Sequence, residues 1–213
     1  MARNNTGVIG AFIGTIGPVT GFMRNGRNIL RTSTSSIKDK RTPLQLEQRA
    51  KINTCTHFTK AFSGTGFLNK TFPAYGHTGT GYNRAVSALM SRAVTGVYPG
   101  MQLNYPQVLI SKGRLPGPQN VKLAKKANNT LQFNFTDNST DGIASPDDTV
   151  ILVTYAPGLQ QAVFGLHNGF RKDKKAVLNV AALKGYMVEA WIGFLSKDEA
   201  DASDSVWAGR VMV

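Results

Sequence analysis

Hydrophobic spacing along the chain predicts three kinds of element in succession. In residues 42–62 the apolar positions Ile52, Cys55, Phe58 and Phe62 recur at intervals of three and four, which is one face of a helix. Thr42 can cap it, Pro43 sits at the first helical position and Gln45 completes a capping box, so the helix is expected from Leu44 to about Phe62. A second helix is expected over Tyr82–Val94, with Tyr82, Val86, Leu89, Met90 and Ala93 as its stripe and Gly96 as its stop. Between them, Phe67–His77 reads equally as a strand or as an irregular packing segment.

Beyond Gly117 the period changes to two. Seven strand candidates follow: Val121–Lys126, Leu131–Thr136, Thr149–Ala156, Ala162–Leu166, Ala176–Ala181, Tyr186–Ser196 and Val206–Val213. Turn-rich pieces such as DNSTDGIASPDD and HNGFRKDKK separate them. Seven short strands match an immunoglobulin or fibronectin-type sandwich. With Cys55 as the sole cysteine the antibody disulfide is excluded, which favours the fibronectin-like variant.

The first residues have a different pattern again. Val19–Arg24 and Arg27–Arg31 flank Asn25-Gly26, a dipeptide that accepts positive φ, and predict a hairpin. Before it, residues 7–22 carry no charge, but Gly7, Gly10, Gly14, Gly17 and Pro18 break any helix. The stretch is also shorter than the roughly 20 apolar residues of a membrane span. It reads as an extended arm of the mature chain, not as a signal peptide, so cytoplasmic synthesis is expected and a membrane partner is not. The expected architecture is therefore α+β. A basic region of hairpin and two helices with a glycine-rich arm occupies 1–116, and a seven-stranded fibronectin/immunoglobulin-like sandwich occupies 117–213.

Charge sharpens this division. The 213 residues carry a net charge of +13, with 18 Lys and Arg against 2 Asp and Glu in residues 1–126, and 7 against 10 thereafter. So strong an asymmetry favours a partner, either a polyanion or the acidic end of another copy. The densest basic cluster is Arg24, Arg27, Arg31, Lys38, Lys40 and Arg41, a candidate polyanion or intersubunit contact. Arg27 and Arg31 share a strand face with Ile29.

Chemistry is sparse. Cys55 and His57 are two apart on a predicted helix and point to different faces, so they form no nucleophile–base pair. His77 and His167 have no ligand cluster at metal spacing, and Asp147-Asp148 reads as a turn and strand cap rather than a calcium site. No catalytic residue, metal or cofactor is expected, and no nucleic-acid recognition motif is present.

The segments GPVTGFMRNGRNILRT, TPLQLEQRAKI, the run from Gly81 to Pro118 containing AVTG, YP, NY and VLISKG, and VEAWIGFLS with SDSVWAGRVMV resemble a family of Bacteroidota proteins of unknown function and similar length. The resemblance runs nearly end to end and is most specific over Ala93–Pro116. It departs at the hairpin, where family members often carry Trp and this chain has Met23 and Asn25. It implies a shared architecture and no catalytic residues.

These features lead to a non-enzymatic structural subunit that self-assembles, such as a phage-like virion (coat or tail) or filament component. Val8, Ile9, Phe12, Ile13 and Ile16 would form an assembly arm lying on a neighbouring copy. The alternative is a nucleic-acid-binding protein whose basic half contacts phosphates without reading sequence. A hydrolase or sugar-binding module has the least support, and no small-molecule substrate is expected.

Overall fold

The computed structural model describes residues 3–4, 10–24, 26–32, 39–76 and 78–213. It is mostly β, with three α-helices and several antiparallel sheets. The chain divides into two compact units, Met1–Thr42 and Pro43–Val213.

In the first unit β1 (Arg3–Asn4), β2 (Phe12–Ile16), β3 (Val19–Arg24) and β4 (Arg27–Thr32) form one antiparallel sheet in that order. The hairpin falls where the sequence places it, and Gly26 takes φ +76° in its turn. The arm is not a separate extended segment. Its residues Phe12–Ile16 turn back at Gly17-Pro18 and pair with β3 of the same chain, Ile16 opposite Val19. Gly17, at φ +54°, supplies the positive φ that a two-residue hairpin turn requires at its first central position.

In the second unit α1 (Pro43–Lys60), α2 (Phe67–Thr71) and α3 (Gly81–Arg92) come first. Thr80 caps α3, its side chain accepting the Asn83 N–H. A two-stranded ribbon follows, β5 (Val94–Thr95) with β6 (Gln102–Leu103). Then come β7 (Gln119–Lys126), β8 (Thr130–Thr136), β9 (Thr149–Ala156), β10 (Gln161–Gly165), β11 (Lys175–Asn179), β12 (Met187–Leu195) and β13 (Val206–Met212). They make a four-stranded sheet, β10-β9-β12-β13, and a three-stranded sheet, β11-β8-β7. Each of the seven lies within a few residues of its predicted position.

The four-stranded sheet is covered on both faces. Val150, Leu152, Ala190, Ile192 and Phe194 share one core with Leu131, Phe133 and Leu178 of the other sheet. Ile151, Val153, Tyr155 and Trp191 share a second core with Cys55, Phe58, Phe62, Phe67 and Leu89 of the helical region. Phe58 sits at the joint, its ring 4.8 Å from Tyr155 and 6.0 Å from Trp191. A division at 116/117 would cut through this second core, and the compact units divide at Thr42 instead. Two local expectations also change. Phe67–His77 contains a helix, α2, and Ile52 is 45% exposed rather than part of the buried α1 face. Among the described residues, no helix is long and apolar enough to cross a membrane.

Candidate functional site

The described residues of the first unit form no hydrophobic core of their own. Among its described residues only Gly21 is buried. Because side chains alternate across a sheet and paired residues share a face, the register assigns every position. The pairs Thr15–Thr20, Thr20–Arg31, Phe22–Ile29 and Arg24–Arg27 lie on one face, together with Ile13. Two contacts mark that face: the Thr15 and Thr20 hydroxyls are 3.1 Å apart, and the Arg31 guanidinium lies 5.7 Å from the Phe22 ring centre. Phe12, Ile16, Val19, Met23 and Leu30 occupy the other face, where the Phe12 ring covers Gly21. Ile13, Ile16, Met23 and Leu30 are all about half exposed, at 52%, 57%, 46% and 56%.

The sequence-predicted cluster is thus brought together in part. Arg24, Arg27 and Arg31 share one face with Ile13, Phe22 and Ile29, a pattern of guanidinium groups around an apolar centre. Lys40 and Arg41 are exposed ahead of α1, and Arg41 lies 3.6 Å from Asp39. Lys38 falls outside the described residues. Of the arm residues, Phe12, Ile13 and Ile16 lie in β2, while Val8 and Ile9 fall outside the described residues. Where described, the arm makes strand pairings within the chain, Phe12 and Ile13 with β1 and Gly14–Ile16 with β3. The short Gly17-Pro18 turn and the apolar match of Ile16 with Val19 explain the second pairing.

In the second unit Cys55 is fully buried, and desolvation pushes its thiol up to about 11, so it is an inert core residue at neutral pH. His57 is exposed on α1, His167 is 3.1 Å from the Glu199 carboxylate, and His77 falls outside the described residues. No group of His, Cys, Asp and Glu among the described residues could hold a metal.

Asp147 and Asp148 part company. Asp147 stays half-exposed and pairs with Lys172 at 2.9 Å, which holds its carboxyl below the usual range. Asp148 is buried and accepts from Arg171 at 3.1 Å and from the Ser145 N–H at 2.9 Å.

Two buried charges escaped the sequence reading. Arg171 is fully buried, and Glu189 in β12 is 1% exposed, bound by Arg210 at 2.5 Å and Trp207 at 2.9 Å. The signal for Glu189 was present, a lone carboxylate in the apolar run VEAWIGFL opposite a strand carrying Arg210. Both are structural, since each charge is paired within the fold, Arg171 with Asp148 and Glu189 with Arg210.

A family model described as a family of unknown function (DUF6266) matches residues 11–209. No curated protein matches the chain. Among solved structures, the fn3 domain of human collagen alpha-1(XX) chain is similar at 18% identity over 48% of this chain and 88% of that one, with a TM-score of 0.31.

Proposed function

We propose, for a chain that belongs to the family of unknown function DUF6266, that it is a non-enzymatic structural subunit which self-assembles through its N-terminal sheet. One observation carries this reading: a four-stranded sheet that holds apolar side chains on both faces and buries none of them among its described residues. Small sheets need a covered hydrophobic face to be stable in water. Exposed apolar patches of this kind are interfaces more often than accidents.

A second copy of the chain suits the site. Arg24, Arg27 and Arg31 ring the apolar centre of one face, and residues 127–213 carry the acidic excess that would meet them. A head-to-tail contact of that type propagates into rings or filaments, as in a coat, tail or filament protein. The second unit would act as the rigid body, its seven strands read as a fibronectin/immunoglobulin-like sandwich on the order of the two sheets. One feature favours a nucleic-acid partner as the second reading. Phe22 amid three arginines offers a stacking ring beside phosphate-binding groups.

The test is the mass in solution, by light scattering after size exclusion, of the full chain and of a fragment starting at Pro43. The fragment keeps both buried cores, neither of which draws on residues before Cys55. The full chain is expected to assemble and the fragment to be a folded monomer. Ile13→Asp with Arg27→Asp, both at exposed positions on the arginine face, should act like the deletion. Identical masses for all three would overturn the proposal. A monomeric full chain that shifts single-stranded nucleic acid in a salt-dependent way would replace it with the second reading.

A further inference from the structure

We infer that the second unit carries an oxyanion-binding cleft between α3 and the Lys112–Arg114 segment, suited to a small phosphomonoester. The cleft has a volume of about 420 Å³, within the range of small-ligand sites. One wall is a stripe of α3, where Arg84, Ser87 and Ser91 follow one another at helical spacings of three and four. The opposite wall presents Lys112 and Arg114, two residues apart. Gly113 between them packs so closely that an added Cβ would lie 2.0 Å from the Ala202 carbonyl oxygen, so this wall is held hard against the body of the unit.

The cations are arranged for a ligand rather than for each other. Arg84 donates Nε to the Phe72 carbonyl at 2.8 Å and Nη1 to the Gly79 carbonyl at 2.9 Å. Two neutral acceptors fix the guanidinium plane and leave its charge uncompensated. The Arg114 guanidinium lies over the Tyr75 ring, 4.2 Å from its centre. Among the described residues, no carboxylate lines the cleft and no ion pair is formed by Arg84, Lys112 or Arg114.

Two acids do lie nearby, but backbone and phenol groups occupy them. Asp201 accepts from the Tyr75 hydroxyl and from the N–H groups of Arg114, at 3.1 Å, and Ala202, at 2.8 Å. Asp204 accepts from the Gly113 N–H at 3.2 Å.

Three like charges converging on one cavity repel one another, and an anion placed among them relieves that repulsion while taking charge-assisted hydrogen bonds. The donor set favours a tetrahedral dianion. It combines a planar fork from arginine, a point charge from Lys112 and the Ser87 hydroxyl, while Ser91 gives its proton to the Ala88 carbonyl at 2.9 Å. Pro73, Ala74 and Ala88 add apolar wall for the organic part of an ester. A bare carboxylate would leave part of this set unused.

Titration calorimetry of the full chain with ribose 5-phosphate, glucose 6-phosphate, inorganic phosphate and uncharged glucose tests the inference. The two esters are expected to bind saturably and several-fold more tightly than inorganic phosphate, and glucose not at all. Lys112→Gln with Arg114→Gln, both exposed, should weaken ester binding by about tenfold or more. Arg84→Gln should do the same. Lys125→Gln with Lys126→Gln, which removes the same charge from β7, should leave it unchanged.

Absence of saturable ester binding overturns the site. So does an equal loss in the β7 variant, which would make net charge the cause, or no loss in the Lys112 and Arg114 variant. Equal affinity for inorganic phosphate and the esters overturns the phosphomonoester assignment in favour of the free anion.

Discussion

Replacing Arg171 with Met, which removes the charge but keeps much of the side-chain volume, should be the most damaging single polar substitution in the second unit. The guanidinium is fully buried and bonds Asp148 at 3.1 Å, the Asn138 side-chain oxygen at 2.5 Å and the Pro116 carbonyl at 3.2 Å. Its carbon lies 3.9 Å from the centre of the Phe194 ring. Without it the Asp148 carboxylate, 2% exposed, keeps only the Ser145 N–H. Breaking a buried pair by removing one partner costs about 3–5 kcal/mol. Against this, Arg171 Nε has no hydrogen-bond partner among the described residues, and removing a buried unsatisfied donor returns about 1 kcal/mol.

The net expectation is a loss of about 3 kcal/mol. Asp148→Asn alone strands the arginine and should cost a comparable amount, although its amide oxygen still serves Ser145. Combining the two changes removes both charges, so the double variant should be more stable than the sum of the single losses predicts by about 2 kcal/mol. Urea unfolding followed by Trp fluorescence reads all four proteins, with the slope checked for constancy. Additive losses in the double variant would refute the idea that a buried charge pair, rather than packing, sets the effect.

Alkali should unfold the protein in a defined window. Burial raises Cys55 from 9.0 to about 11, and, chiefly by the same cause, Tyr75 and Tyr105 from 10.0 to about 12. Their neutral forms are favoured by folding, so this stability is present below the unfolded values and lost as pH rises through the folded ones. Urea midpoints should be flat to about pH 8.5 and fall steadily above it, and Cys55→Ala should flatten the first part of the fall. A flat profile to pH 11 would contradict the burial. In acid the opposite sign holds. The carboxyls of Asp147 and Glu199 are held low chiefly by bonds from Lys172 and Lys70, so their contribution is present above the usual carboxylate range and lost as pH falls below it. A fragment starting at Gly117 should be insoluble or bind a hydrophobic dye, because it uncovers Ile151, Val153, Tyr155 and Trp191; a soluble two-state β domain by circular dichroism would show that the helices are dispensable.

Local patterns determined most of the elements. The hairpin around Asn25-Gly26, the Thr-Pro helix start and the seven strands followed from spacing and turn chemistry, because those signals act over a few residues. α2 was hidden by its brevity: five residues give barely one turn of period. Where the units divide was harder to read, yet not unwritten. β9 and β12 run as TVILVTYA and MVEAWIGFL, nearly continuous apolar sequences that mark a sheet buried on both faces. Taken as simple alternation, they hid the need for a helical layer.

The candidate sites depended on distance in space. Arg24, Arg27 and Arg31 share a face because strand parity fixes it, and parity is visible in sequence once the turn is placed. The cleft cation Arg84 is far along the chain from Lys112 and Arg114, and the packing of α3 beside the Gly113 segment brings them together. Arg171 and Asp148 likewise looked like members of two polar loops. Sequence fixes the charge of such groups, whereas burial and partner are set by which loops the two sheets bring into contact, and that is a property of the packed core alone.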